Sequence, residues 1–285
     1  MQLPNFLVIG VPKAGTTSLY YYLKEHPHVH MSWLKEPRFF AYDETNPKHR
    51  AADAFPVRSM ADYIALFNGV TTEKAVGEAS PNYLHSRFAA HAIRTHIPDA
   101  KLIAILRNPI DKTISGYNMR VRVGNETHSW ENILDGDEDI LRSSLYYNHV
   151  KYYLDLFGKD RLKILLFDDL EKDAISVMRE TYRYLEVDDT FRANVSTRHN
   201  TGTIKKARGI QYFRLQYRKS LGMTRAVQSI VPSGIRRRLA NIGSSKFEKA
   251  EISTDERAGL INYYREDILK LQDLIHQDLG AWLDL

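Results

Sequence analysis

Residues Phe6–Leu23 read FLVIGVPKAGTTSLYYYL, and they predict the fold class of the whole chain. The segment begins with an apolar run, Phe6–Gly10, which is typical of a buried strand in a parallel sheet. From Thr16 onward the apolar residues recur at helical spacing. Between the two lies a short loop that contains Lys13. A strand, a glycine-containing loop and a helix N-terminus together form a cradle for phosphate, because the helix dipole and the amides of the first turn favour an anion.

The glycine spacing of this loop matches a nucleoside triphosphate-binding loop, but the position of its lysine does not. In the Walker A loop, G-x-x-x-x-G-K-[ST], lysine follows the second glycine, whereas here Thr16 follows Gly15 and the lysine is Lys13. A triphosphatase also needs a carboxylate for magnesium at the end of a neighbouring strand, and the next clear strand is followed by Arg107. We therefore rank a P-loop kinase or hydrolase, and also a plain strand-to-helix turn, below a loop that binds phosphate without metal.

The composition is that of an ordinary soluble enzyme. The chain has 285 residues, of which 43% are hydrophobic and 26% charged, which suits one large domain. It contains no cysteine, so disulfides and thiolate metal sites are excluded. No apolar run approaches the roughly 20 residues of a membrane-spanning helix. Because only a few residues precede the first strand, we expect a cytoplasmic protein without a signal peptide.

The net charge of +5 is unevenly distributed. Residues 190–247 contain 13 Lys or Arg and no acidic residue, which leaves 27 basic and 35 acidic residues elsewhere, a net charge of −8. We expect this segment to be a basic, largely helical appendage within a single domain that spans residues 1–285. It indicates an anionic ligand or a peripheral membrane contact. A non-enzymatic protein that binds polyanions is a further alternative, but nucleic acid is not expected, because stacking motifs for single strands are absent.

A second phosphate contact is predicted where the strand Leu102–Leu106 ends. In open parallel sheets ligands bind beyond the carboxyl ends of the strands, and Arg107 leaves that end. Its planar guanidinium suits a phosphate, and Pro109 suits the first turn of a helix. Ser115, eight residues after the arginine, would lie about 80° past two helical turns and so on roughly the same side. A structural ion pair is the alternative role for Arg107.

Three motifs resemble those of sulfotransferases that use 3′-phosphoadenylyl sulfate (PAPS). PKAGTTS, residues 12–18, looks like the family's 5′-phosphosulfate loop. The segment from Arg107 to Ser115 resembles its 3′-phosphate motif, and KEPRFF, Lys35–Phe40, is similar to the E-x-x-F-F motif of heparan sulfate sulfotransferases and their bacterial relatives. The motifs occur in the family's order. The resemblance implies an α/β fold with a parallel sheet of about five strands, flanked by helices in a P-loop-like arrangement.

The resemblance also implies roles for individual residues. Glu36 would be the general base that takes the acceptor proton, although a surface salt bridge is the plainer reading of such a glutamate. Lys13 would stabilise the departing phosphate, so no metal is needed. PAPS, the sulfonyl donor, would be bound by the 5′-phosphosulfate loop, by the 3′-phosphate motif and by Lys206-Ala-Arg208, which is similar to the K-G-R that closes over PAPS in the family. The residues are Lys13, Ala14, Gly15, Thr16, Thr17, Ser18, Arg107, Ser115, Lys206 and Arg208.

A fourth segment departs from the family's pattern. EASPNYL, residues 78–84, is similar to E-K-[TS]-P-x-Y-F of the heparan sulfate enzymes, but the family's lysine is Ala79 here. Lys13 is then the one matched cation at the sulfur, and Glu78 and Ser80 are further candidates for catalysis or acceptor contact. We expect transfer to a hydroxyl or amine of a glycan, lipid or small molecule, and the basic segment favours an anionic glycan or a glycolipid.

Overall fold

The computed structural model describes residues 3–51, 54–122, 138–196 and 252–285. All of these residues belong to one unit, which is formed by residues 1–199 and 250–285. Most of the basic segment 190–247 lies outside the described residues. Its helical structure and its place within a single domain therefore remain predictions.

Five parallel strands form the central sheet in the order β2-β3-β1-β4-β5. Every residue of β1 and β3 is buried, as the continuous apolar run of β1 predicts. Val8 lies opposite Ala79 on one side and Ile103 on the other, so the carboxyl ends of three strands reach one edge of the sheet. The predicted five-stranded α/β architecture is confirmed. The strands are β1 (Phe6–Gly10), β2 (Val29–Met31), β3 (Ala75–Ala79), β4 (Lys101–Leu106) and β5 (Leu162–Leu166).

Helices connect and cover these strands. None of those in the described ranges is long and apolar enough to cross a membrane. Single 3₁₀ turns occur at Phe39–Ala41, Tyr83–His85, Lys159–Arg161 and Gly280–Leu283. The α-helices are α1 (Thr16–Glu25), α2 (Pro47–Ala51), α3 (Met60–Ala65), α4 (Arg87–His96), α5 (Pro109–Arg122), α6 (Glu138–Arg142), α7 (Tyr147–Phe157), α8 (Phe167–Lys172), α9 (Ala174–Tyr184) and α10 (Thr254–Ile275).

The last helix, α10, begins at the capping box that the sequence predicts. The Ser253 hydroxyl accepts from the amide of Glu256 at 3.2 Å, and Glu256 Oε2 accepts from the amide of Ser253 at 2.6 Å. The helix then buries the apolar stripe that anchors it to the domain, which consists of Leu260, Ile261, Tyr264, Ile268 and Leu271.

One helix near the site is shorter than expected. The sequence predicts a continuous helix over residues 83–96, but Tyr83–His85 form a 3₁₀ turn and α4 starts afterwards. The reason is a local cap, because the Ser86 hydroxyl accepts from the amide of Ala89 at 3.0 Å. Tyr83 therefore lies in a separate turn before α4, close to the end of β3.

Candidate active site

The loop between β1 and α1 is tightly folded around Gly15. Lys13 and Gly15 both have left-handed backbones, with φ of 71° and 80°. A Cβ atom at Gly15 would lie 2.8 Å from Cδ2 of Phe167, so the position needs glycine for its space as well as for its φ. Gly15 is also the N-cap of α1 and supplies no capping side chain. The loop thus places the N-terminus of α1 at the carboxyl end of β1, where the helix dipole favours an anion.

Arg107 connects the end of β4 to this loop. Its Nη1 atom donates to the main-chain oxygen of Lys13 at 3.1 Å, and its Cζ atom lies 4.8 Å from the centre of the Phe167 ring. The carbonyl oxygen of Arg107 accepts from the Tyr146 hydroxyl at 2.8 Å. No carboxylate in the described ranges pairs with its guanidinium, so the structural ion pair considered above is not found there. The guanidinium has five N–H donors and keeps others for a phosphate.

The other predicted donor contacts are placed less directly. Ser115 lies in α5, which starts at Pro109 as predicted, and its side chain is half-buried. Asn108 Oδ1 accepts from the amide of Ile110 at 2.9 Å and stabilises the start of this helix. The contact of Ser115 with a phosphate remains a prediction. Lys206 and Arg208 lie outside the described residues.

The loop that carries Glu36 is attached to the end of β3. Glu36 and Arg38 both have left-handed backbones, with φ of 61° and 55°. The Glu36 amide donates to the carbonyl of Ala79 at 3.0 Å, and the Arg38 amide donates to the Ser80 hydroxyl at 3.0 Å. Non-glycine residues rarely adopt this conformation unless their surroundings enforce it, and they cluster at functional sites. The edge of the sheet that bears the phosphate loop thus also bears Glu36.

Two cations hold the carboxylate of Glu36. Lys35 Nζ lies 2.8 Å from Oε1, and Arg38 Nη2 lies 2.8 Å from Oε2. Burial by itself raises the pKa of Glu36, but the attraction and hydrogen bonds of Lys35 and Arg38 outweigh it and lower the pKa to about 2. Glu36 is therefore ionised at neutral pH, and its carboxylate can accept a hydrogen bond from a hydroxyl group of a substrate.

Glu78, in β3, is a fully buried carboxyl beside this loop. Its side chain is 0% exposed, and within the described part of the chain its Oε2 atom has no hydrogen-bond partner. Burial, together with the negative charge of Glu36, raises the pKa of Glu78 to about 7 against the hydrogen bonds of Tyr83, Ser80 and Tyr63. Sequence reasoning ranked this residue below Glu36, because its burial depends on neighbours that are distant in the chain.

Phe167 is a residue of the site that the motifs did not reveal. It starts α8 at the end of β5, and its ring contacts both the Gly15 position and Arg107. The next residue, Asp168, accepts from Trp282 Nε1 at 2.6 Å through Oδ2. The C-terminal 3₁₀ turn thus fixes the start of α8. No local signal predicts this, because an apolar residue at the end of a strand is normally read as core.

A family comparison agrees with this geometry. The family model described as "Sulfotransferase domain" matches residues 3–229 of the chain, which include β1 with its loop, the Glu36 loop and the start of α5. The chain belongs to the sulfotransferase family. Membership in this family supports the transfer of sulfonyl groups, which is the general reaction that the three motifs predict.

Individual relatives of this sulfotransferase are remote but extensive. Bifunctional heparan sulfate N-deacetylase/N-sulfotransferase 3 of Homo sapiens is 27% identical over 305 aligned residues, which cover 99% of this chain and 31% of that protein. The membrane-associated sulfotransferase kil1 of Dictyostelium discoideum is 30% identical over 156 residues, which cover 53% of this chain and 31% of that protein. The chain thus spans about a third of the length of these curated relatives, 31% in both cases.

A solved structure supports the fold. The crystal structure of a sulfotransferase from Alicyclobacillus acidocaldarius has a TM-score of 0.74 and 28% sequence identity to this chain, and the match covers 100% of both chains. The predicted sulfotransferase fold is thereby confirmed.

Proposed function

We propose that this sulfotransferase transfers a sulfonyl group from PAPS to a hydroxyl or amine of an acceptor. The observation that carries the proposal is the contact between Arg107 and Lys13, at 3.1 Å. It brings together the two segments that resemble the 5′-phosphosulfate and 3′-phosphate motifs. A donor with phosphate groups at both positions suits two such neighbouring sites better than a simple phosphate does.

The donor end of the site would bind mainly through charge and main-chain groups. The N-terminus of α1, from Gly15 to Ser18, suits the 5′-phosphosulfate. The guanidinium of Arg107 suits the 3′-phosphate, and Ser115 is proposed to add a hydroxyl donor. We propose that Lys206 and Arg208 close over the bound nucleotide.

The chemical step forms one bond to sulfur and breaks another. The acceptor oxygen or nitrogen attacks sulfur in line with the bridging phosphate oxygen, the S–O bond to that oxygen breaks, and 3′-phosphoadenosine 5′-phosphate (PAP) leaves. Lys13 would stabilise the charge on the bridging oxygen. Glu36 would take the acceptor proton. Because Lys35 and Arg38 hold its pKa low, we expect this transfer late, when bonding to sulfur has made the acceptor proton acidic.

The acceptor is proposed to be a glycan. Several relatives carry heparan sulfate in their names, which supports a polysaccharide acceptor. Ala79 stands where those enzymes have a lysine, but Lys35 and Arg38 supply positive charge beside Glu36. The basic segment 190–247 supports an anionic glycan or a glycolipid, and with it a peripheral membrane contact. A cytoplasmic location remains part of this proposal.

The test is turnover of PAPS with a panel of acceptors. De-N-sulfated heparin fragments, an unsulfated uronic acid polysaccharide, a glycolipid and a simple phenol would each be incubated with PAPS, with PAP and sulfated product measured by mass spectrometry. We expect equal amounts of PAP and sulfated product with at least one acceptor. Glu36→Gln and Lys13→Ala should lower this turnover by about 10²- to 10³-fold.

Lys24→Ala provides the matched control for Lys13→Ala. Lys24 is exposed in the last turn of α1, at the opposite end of the helix from the loop. Its loss should leave turnover unchanged. PAPS that stays intact with every acceptor, or full turnover by Glu36→Gln, would contradict the proposal.

A further inference from the structure

The Glu36 loop depends on two hydroxyl groups that follow β3. The Arg38 amide donates to the Ser80 hydroxyl at 3.0 Å, and the Phe40 amide donates to the Tyr83 hydroxyl at 3.3 Å. Each hydroxyl is thus an acceptor for the loop. Since a hydroxyl has one O–H and two lone pairs, both still need an acceptor for their own proton. Both side chains are fully buried, which makes an unpartnered O–H costly.

Glu78 lies where those protons can go. The hydroxyls of Tyr83, Ser80 and Tyr63 are the hydrogen-bonding neighbours of its carboxyl. The Tyr63 hydroxyl, which comes from α3, lies 3.5 Å from Oε1. Glu78 precedes Ser80 by two residues at the end of β3, so the two hydroxyls that hold the Glu36 loop are neighbours of the same buried carboxyl.

The surroundings of Glu78 favour its neutral form. No cation in the described ranges pairs with it, and the two cations of the loop, Lys35 and Arg38, pair with Glu36. An isolated carboxylate in a fully buried position is unfavourable, and the negative charge of Glu36 adds to this. Of the titratable groups that face it, Tyr63 and Tyr83 are neutral and Glu36 is an anion. Protonation of the carboxyl removes the charge and so relieves both penalties.

We propose that Glu78 is a positioning residue, which as a neutral carboxylic acid orients the Ser80 and Tyr83 hydroxyls and through them the Glu36 loop. The consequence for catalysis rests on the proposed function, because it assumes that Glu36 is the base. The positioning of the loop by Glu78 does not depend on that assumption, so it can be tested without an acceptor substrate.

Hydrogen exchange measured by mass spectrometry tests the positioning. Glu78→Gln keeps the shape and the acceptor oxygen of a neutral acid, whereas Glu78→Leu removes both. We expect the amides of Glu36, Arg38, Phe39 and Phe40 to exchange about tenfold faster in Glu78→Leu, which corresponds to the loss of about one hydrogen bond, while α1 and α10 keep their protection. Glu78→Gln should exchange like the wild type. Glu266→Ala, at an exposed position on α10, is the control and should change nothing in the loop.

Ser80→Ala and Tyr83→Phe keep the inference testable if Glu78→Leu does not fold. Each removes one of the two hydroxyls and should accelerate exchange in the same loop. The inference would be overturned if residues 36–40 exchanged at the wild-type rate in Ser80→Ala, Tyr83→Phe and Glu78→Leu. It would also be overturned if these residues exchanged as fast in Glu78→Gln as in Glu78→Leu.

Two further readouts separate this inference from the proposed function. An infrared difference spectrum of wild type minus Glu78→Gln at pH 5.5 should contain the carbonyl band of a protonated acid, and its absence would overturn the neutral state. With PAPS and a working acceptor, Glu78→Leu should lower kcat and leave the KM for PAPS unchanged, because the donor loop lies elsewhere. If the exchange results hold and no acceptor is sulfated, the sulfonyl transfer is wrong and the positioning stands.

Discussion

The guanidinium of Arg107 donates to the main-chain oxygen of Lys13 across 94 residues of sequence. Lys13 follows β1 and Arg107 follows β4, and these strands are neighbours in the sheet. The contact follows from the pairing of these two strands. It sets the two segments that resemble the phosphate motifs at a fixed separation, which a nucleotide with two phosphate positions would require.

Arg107 should dominate recognition of the nucleotide. Arg107→Ala should weaken binding of PAP by roughly 10- to 100-fold, because a hydrogen-bonded charge pair contributes about 1.5–3 kcal/mol. The affinity of Arg107→Lys for PAP should lie between those of the wild type and Arg107→Ala, because an ammonium group keeps the charge but lacks the planar fork of the guanidinium. Calorimetric titration with PAP measures this, with circular dichroism as the check on folding. Binding within twofold of wild type in Arg107→Ala would remove the residue from the donor site.

Gly15→Ala should destabilise the protein by about 2–3 kcal/mol. The new methyl group would meet the Phe167 ring at 2.8 Å, and the backbone has a φ of 80°. Gly69→Ala is the control, because Gly69 also has a positive φ, of 106°, but no atom within 4 Å of the added Cβ. It should lose only about 1 kcal/mol. Urea unfolding gives both values, and equal losses at the two positions would show that Phe167 does not restrict the loop.

Phe167→Leu should partly rescue Gly15→Ala. The smaller side chain gives the added methyl group room, so the double variant should be more stable than the sum of the two single effects by at least about 0.5 kcal/mol. A double-mutant cycle in urea measures this coupling. Strict additivity would mean that the cost of Gly15→Ala comes from its backbone alone.

Stability should decrease with rising pH because of Glu78. Its folded pKa of about 7 lies above the ordinary value of 4.5, so the folded state holds a proton that the unfolded state has released. The stability that Glu78 contributes is complete below pH 4.5 and is lost as the pH rises to about 7. Urea unfolding at pH 5 and pH 8 should therefore show a larger loss in wild type than in Glu78→Gln. An equal loss in both would contradict the raised pKa.

The pH profile of turnover should report the two cations at Glu36. Burial opposes them, yet Lys35 and Arg38 lower the pKa of Glu36 to about 2. Wild-type kcat/KM should therefore not fall between pH 7 and pH 5 through protonation of Glu36. Arg38→Ala removes one cation, raises this pKa and should shift the acid limb to higher pH. Profiles that superimpose would exclude Glu36 as the group that must be ionised.

The sheet, and the placement of the loop after β1 and of Arg107 at its edge, could be predicted because their signals are local. A buried strand, a loop with Gly15 and a helix with hydroxyls in its first turn follow one another within 18 residues, and Arg107 follows its own strand directly. Parallel pairing then brings these loops to one edge without further information.

The surroundings of Glu36 and Glu78, where the acceptor is proposed to bind, depend on contacts that no single segment encodes. The left-handed backbone of Glu36 is held by the end of β3, and the burial of Glu78 needs Tyr63 from α3. Phe167 owes its place to the Trp282–Asp168 hydrogen bond, between residues 114 apart. Such long-range packing overrides local preference, which is why Glu36 was expected from a resemblance and Phe167 was not expected at all.

Thermal unfolding with PAP, compared with ATP and magnesium, tests the donor assignment most directly. Saturation at 100 times the dissociation constant should add about 2.7 kcal/mol of stability and raise the Tm by several degrees. We predict this rise with PAP and a much smaller one with ATP and magnesium. A rise with ATP and magnesium alone would contradict the assignment and make the loop after β1 a triphosphate site.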